Sequence, residues 1–263
     1  MMKSVQTTPN SLEKAFVSFE LALKSCFYSR KWLIFLILAL LPLGITLLVE
    51  DRLLGNPTVR SAFVDTFIGF QFLLFFTFSC LILALPMSAD EISDHIIDLY
   101  LVRPIRREML WAARWVAGSV AVLILNFVIS IIYYTYFHVV EEDFSGLIDD
   151  VDLLGKTSIF LVAATLAYAG IFLLVGFIGN RGFTLGVFLA MFELFLLSLI
   201  FLTDEPYIPR TNILVIADSL FGSLYNYDPK GTPNLFFSWG YVGLLALGSF
   251  VAGALYLRIR EFN

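Results

Sequence analysis

The chain is poor in charge. Asp, Glu, Lys and Arg make up 15% of its 263 residues, hydrophobic residues make up 59%, and mean hydropathy is +0.85. Soluble domains carry about a quarter charged residues, so a soluble globular protein is excluded. Histidine and cysteine are scarce as well, with two of each. His95 and His138 are expected on opposite sides of a membrane, where they can neither share a metal nor act as nucleophile and base. Cys26 and Cys80 fall on or near the expected cytoplasmic side, so they read as small apolar residues rather than a disulfide.

A phosphate-binding loop is missing too. The G-K-T at Gly155–Thr157 has Asp150 where the first glycine of such a loop belongs. No basic stripe with interleaved aromatics accompanies the net charge of -5, which excludes a nucleic-acid partner. Glu141 and Glu142 are adjacent carboxylates, but no arginine or histidine follows at a useful spacing, and no catalytic constellation emerges. The chain reads as a non-enzyme with no cofactor of its own.

Long apolar runs are what the sequence has instead. Crossing about 30 Å of hydrocarbon takes roughly 20 helical residues. Six runs qualify, at about 32–49, 67–87, 115–136, 158–178, 183–202 and 235–257. The expected fold is therefore an all-α integral membrane protein with six transmembrane helices over 32–257. The first run is too long for the apolar core of a signal peptide and no small-residue cleavage site follows it, so it reads as an anchor.

Residues 1–31 form the N-terminal segment, with a helix expected from Ser11. Leu12, Ala15, Phe16, Phe19, Leu23 and Phe27 share one face, with Lys14, Lys24, Arg30 and Lys31 off it. The two readings are an interfacial helix lying on the inner leaflet and a cytoplasmic extension of the first span. Residues 203–234 hold a shorter apolar stretch, 213–224, bracketed by Pro206, Pro209, Pro229 and Pro233. It is too short to cross, and a re-entrant or interfacial helix is expected there.

Twelve of the 17 Lys and Arg fall on the side that holds both termini, including residues 258–263. The positive-inside rule makes that side cytoplasmic and the chain a multi-pass protein of the cell membrane. The opposite loop collects Glu141, Glu142, Asp143, Asp149, Asp150 and Asp152, read as a solvated acidic loop. Glycines 176, 179, 182 and 186 cluster at the turn between the fourth and fifth spans, where close helix approach is expected.

Three polar residues sit inside the spans: Gln71, Asn126 and Glu193. Glu193 is the costly one, since a carboxylate in hydrocarbon must be paired, hydrogen-bonded or protonated. A transport role and a structural cross-link both fit it. Gln71 and Asn126 suit interhelical hydrogen bonding.

The densest charge lies in residues 88–114. Ser88-Ala89-Asp90-Glu91 spells a capping box, so a helix is expected to start as the second span ends. Asp90, Glu91, Asp94 and Asp98 make an acidic stripe beside an apolar face. Pro104 breaks that helix after Arg103, and Arg106, Arg107 and Glu108 form a basic elbow into the third span. These nine charged or breaking residues are the candidate docking surface.

In this block Asp90-Glu91, Ile97-Asp98-Leu99-Tyr100-Leu101, Arg103-Pro104-Ile105, Arg107-Glu108 and Leu110 resemble, in order and spacing, the first cytoplasmic loop of the permease subunits of ABC-2 type transporters. The N-terminal segment also looks like that family's interfacial helix. The resemblance implies an exporter built from two permease chains, alike or different. Separate ABC ATPase subunits, which hold ATP and Mg, would seat the loop as a coupling helix. Two alternatives come from other classes: a non-transporting membrane scaffold, and a proton-coupled carrier using Glu193.

Overall fold

The computed structural model describes residues 11–28, 32–41, 43, 59–93, 106–142, 146–192, 209–222 and 234–259. Among them it is all-helical. Four helices are long and apolar enough to cross a membrane: Val59–Ala89, Arg107–Val139, Val151–Gly176 and Leu235–Ile259. Two shorter apolar helices, Trp32–Leu41 and Arg181–Met191, stand where the first and fifth spans are expected, and the rest of those two runs lies outside the described residues.

In chain order the helices are α1 (Ser11–Tyr28), α2 (Trp32–Leu41), α3 (Val59–Ser93), α4 (Arg107–Glu142), α5 (Gly146–Asp149), α6 (Val151–Gly176), α7 (Asn180–Met191), α8 (Pro209–Phe221) and α9 (Leu235–Ile259). Large apolar side chains such as Ile34, Ile37, Phe188, Leu244 and Leu247 stay on the outside. Four apolar helices with such an outer surface fit a multi-pass membrane protein.

Helix α6 is the centre of the bundle, and its buried positions run through Phe160, Ala164, Ala167, Phe172 and Leu173. Helix α9 packs a seam of mostly small residues inward: Ser238, Val242, Ala246, Ser249, Gly253 and Leu257. The 4-4-3-4-4 spacing keeps that seam on one face. Small residues let helix backbones approach, which is how apolar helices associate without a hydrophobic drive between them.

Helix α3 is irregular. Phe67–Phe76 and Cys80–Ala84 are π-helical, separated by the short α segment Thr77–Ser79. π-Helix usually occurs as single turns and marks functional sites, so this helix is wound unlike its neighbours.

The expected helix start at Ser88 is not a start. Residues 85–93 continue α3 without a break. Ser88 is buried and its hydroxyl lies 2.6 Å from Leu173 O and 3.3 Å from Leu85 O, so it has carbonyls to donate to and no free N–H to cap. A capping box needs the exposed N–H groups of a helix end, and an uninterrupted helix supplies none.

Helix α1 buries Ser18, Ala22 and Cys26, each one turn after the last. Phe19, Leu23 and Phe27 pack beside them, whereas Phe16 points outward and is 63% exposed. The apolar face read from the sequence is thus divided between the bundle and the outside. Helix α8 starts at Pro209, four residues before the expected stretch; proline suits the first helical position because its missing N–H would be unpaired there. Its Phe221 ring meets Phe67 and Phe160 inside the bundle.

Candidate functional site

One end of the bundle gathers the charged loop's two anchors. Leaving α3, Ser88 donates to Leu173 O at 2.6 Å, which ties the helix to α6. Entering α4, Arg107 Nη1 donates to Leu257 O at 3.2 Å in the last turn of α9. A guanidinium at a helix C-terminus meets carbonyls with no helical partner and the negative pole of the macrodipole. Tyr256 donates to Phe177 O at 3.1 Å, and the Phe177 ring packs on both Tyr256 and Trp111, each at 4.9 Å. These contacts bring α4, the α6–α7 turn and α9 together.

The nine candidate docking residues divide as follows. Asp90 and Glu91 are helical in the last stretch of α3. Asp94, Asp98, Arg103 and Pro104 lie outside the described residues. Arg106 is exposed and precedes α4; its carbonyl accepts the N–H groups of Met109 and Leu110 at 3.0 and 3.2 Å, which makes it the N-cap. Glu108 is exposed in the first turn, where a negative charge suits the helix N-terminus. Arg107 does structural work through Leu257 as well as standing in the motif. Arg181 and Arg258 are exposed at the same end and Arg114 is buried there, only 2% exposed, so the end is rich in arginine.

A second constellation lies inside the bundle. Gln71 and Asn126 are fully buried and belong to one polar cluster. Gln71 Nε2 donates to Asn126 O at 2.7 Å and to Ser130 Oγ at 3.0 Å. Asn126 Nδ2 donates to Ser79 Oγ at 2.7 Å and Val122 O at 2.9 Å. Ser79 in turn donates to Phe76 O at 2.6 Å. The cluster pins the π-wound part of α3 to the middle of α4. Ser79 and Ser130 were not singled out in the sequence, since single serines in apolar helices are common. Glu193 lies outside the described residues.

Double-mutant studies of membrane-protein hydrogen bonds average about 0.6 kcal/mol and reach about 1.7. Asn126→Leu is therefore expected to cost about 1 kcal/mol, read as a small fall in the unfolding midpoint of the purified protein in detergent. Gln71 should keep its bond to the residue 126 backbone carbonyl.

The acidic loop at the other end is not simply solvated. Arg60 Nη2 donates to both Asp152 oxygens at 2.9 Å, and Arg60 Nε stands 3.4 Å from Asp150 Oδ1, close enough for an ion pair though not aligned as a hydrogen bond. Lys156 Nζ is 3.3 Å from Asp152 Oδ2. Two of the six acidic residues are thereby paired with cations from α3 and α6. Among the described residues no three His, Cys, Asp or Glu side chains converge as a metal site would need.

Compared with known protein families, with characterised proteins and with solved structures, the chain has no significant match.

Proposed function

We propose that the chain is the permease subunit of an ATP-driven exporter of the ABC-2 type, with six spans and both termini in the cytoplasm. Two such chains would enclose the pathway, and separate ATPase subunits would dock on residues 88–114. The motif around Arg103-Pro104-Ile105 and Arg107-Glu108 carries the reading. The anchoring of this loop supports it: the chain entering it is bonded to α6 and the chain leaving it to α9. A push on a loop held at both ends is passed to packed helices rather than lost in the loop. An energy source in a partner also accords with the lack of a phosphate-binding loop in this sequence.

Arg106, whose exposed side chain makes no bond among the described residues, is the better docking probe than Arg107, whose loss would also remove a bond to the end of α9. An ATPase chain should co-purify with the wild type, and Asp94→Lys with Arg106→Glu should lose it while the permease remains folded and in the membrane. Absence of any ATPase from the wild-type preparation would overturn the transporter reading.

A further inference from the structure

The two ends of the bundle balance their charges differently. At one end Arg60 and Lys156 are met by Asp150 and Asp152. At the arginine-rich end Arg181 and Arg258 are exposed, and neither forms an ion pair among the described residues. Glu108, an exposed acid of the same end, forms none there either. Arg181 stands in the first turn of α7, at the positive pole of that helix, where an anion is favoured and a cation is not. Its charge is left for something outside the bundle to offset.

Each of these guanidinium groups tops a stripe of apolar side chains. From Arg181 the stripe runs along α7 through Leu185, Phe188 and Phe192, at 4-3-4 spacing. From Arg258 it runs back along α9 through Leu255, Val251 and Leu247, at 3-4-4 spacing. Those intervals keep each set on one helix face, and all six apolar residues are at least 40% exposed. In a membrane such faces lie against lipid tails, so the head group of a lipid resting on either stripe comes level with the arginine above it. An arginine stem can run along apolar surface while its tip stays among head groups, and its planar fork of donors matches the oxygens of a phosphate.

We propose that Arg181 and Arg258 are the head-group contacts of two sites for anionic phospholipid, in the leaflet that this end of the bundle faces. The stripes on α7 and α9 hold the tails. A zwitterionic head group carries its own cation beside the phosphate, so each guanidinium favours a lipid of net negative charge, by about fivefold for one basic side chain near the surface. Arg107 and Arg114 are placed otherwise: Arg107 Nη1 donates to Leu257 O at 3.2 Å, and Arg114 is buried. The Arg107 bond assists Arg258 by offsetting the negative pole at the end of α9. Both sites need only a membrane-embedded bundle and stand apart from the permease reading.

Native mass spectrometry of the full-length protein, taken from micelles with equal amounts of phosphatidylglycerol and phosphatidylcholine, counts the lipids that stay bound. The wild type should retain phosphatidylglycerol about fivefold over phosphatidylcholine at each site. Arg181→Gln and Arg258→Gln should each lose one retained phosphatidylglycerol, and the double variant should hold the two lipids alike. Lys24→Gln also removes a cation, but one that Glu20 pairs at 2.6 Å, so it should change nothing. No preference in the wild type would overturn the sites. So would an equal fall in Lys24→Gln, because the preference would then belong to diffuse charge. Displacement of the lipid by inorganic phosphate at equal concentration would make the occupant a free phosphate, and would overturn the lipid assignment as well.

Discussion

Trp111→Ala is expected to cost about 3–5 kcal/mol, the range for removing a buried aromatic side chain. The ring is fully buried at the start of α4 and packs on Phe177 at 4.9 Å. Its Nε1 donates to Phe250 O at 2.7 Å, and its six-membered ring fills the space at Gly253, where any Cβ would come within 2.2 Å of Cε2. One side chain thus fastens α4 both to α9 and to the α6–α7 turn. The loss should fall unevenly, because only 28% of the apolar window of α9 is buried against 72% for α6. Against α4, helix α9 keeps Trp115, which donates to Ser249 Oγ at 3.3 Å, and Arg107, which donates to Leu257 O at 3.2 Å, and it still packs on α6 and α8. Hydrogen exchange on the purified variant should show α9 losing protection well before α6. Trp111→Phe should retain roughly half or more of the stability, since the ring volume survives and the lost hydrogen bond is worth about 1 kcal/mol. Equal loss of protection in α6 and α9 would mean that Trp111 supports the whole bundle rather than this joint.

Helix class and the long apolar runs could be read from the sequence because twenty consecutive apolar residues leave few alternatives. The glycine cluster was legible too. Gly179 has φ +71°, a conformation that glycine adopts without strain, and Gly182 and Gly186 sit against Val175 O and Leu85 as close approach requires. What faces inward was not legible. In a helix apolar all round, hydrophobicity carries no periodicity, so nothing in α9 marks Ser238, Ala246, Ser249 and Gly253 as the buried side except their small size. Ser88 shows a different failure: its local pattern fits a cap, but burial gave its hydroxyl two carbonyls and the helix ran on.

The charged network lay furthest from the sequence's reach. Arg60 meets Asp152 across 92 residues and Arg107 meets Leu257 across 150, separations at which no local pattern acts. Reading the acidic loop by composition alone made it a solvated face. Asp149 and Asp152 are indeed exposed, but Asp150 and Asp152 are also paired with Arg60 and Lys156 at the ends of α3 and α6, a long-range pairing that composition does not show.

Gly176→Ala is expected to destabilise the protein although it removes a glycine from a helix. The exchange should gain up to about 1 kcal/mol in helix propensity, less at this last helical position. Against that, the new Cβ would lie 2.0 Å from Ser88 Oγ and 2.6 Å from Leu85 O. The hydroxyl can rotate, at the cost of its bond to Leu173 O. The Leu85 carbonyl cannot, because it is backbone inside α3. The two helices must therefore separate, and overpacking of this kind costs about 1–3 kcal/mol. Two further measurements sharpen the cause. Ser88→Gly added to Gly176→Ala should not restore stability, since the contact with Leu85 O persists. Alanine at Gly240, Gly243 or Gly248, where no atom of the described residues outside α9 lies within 4 Å of the added carbon, should be neutral or slightly stabilising. A Gly176→Ala protein as stable as the wild type would show that α3 and α6 do not meet so closely. If the chain works as the proposed permease, the variant should also lose more transport than stability, because the separation falls where the loop's force enters α6.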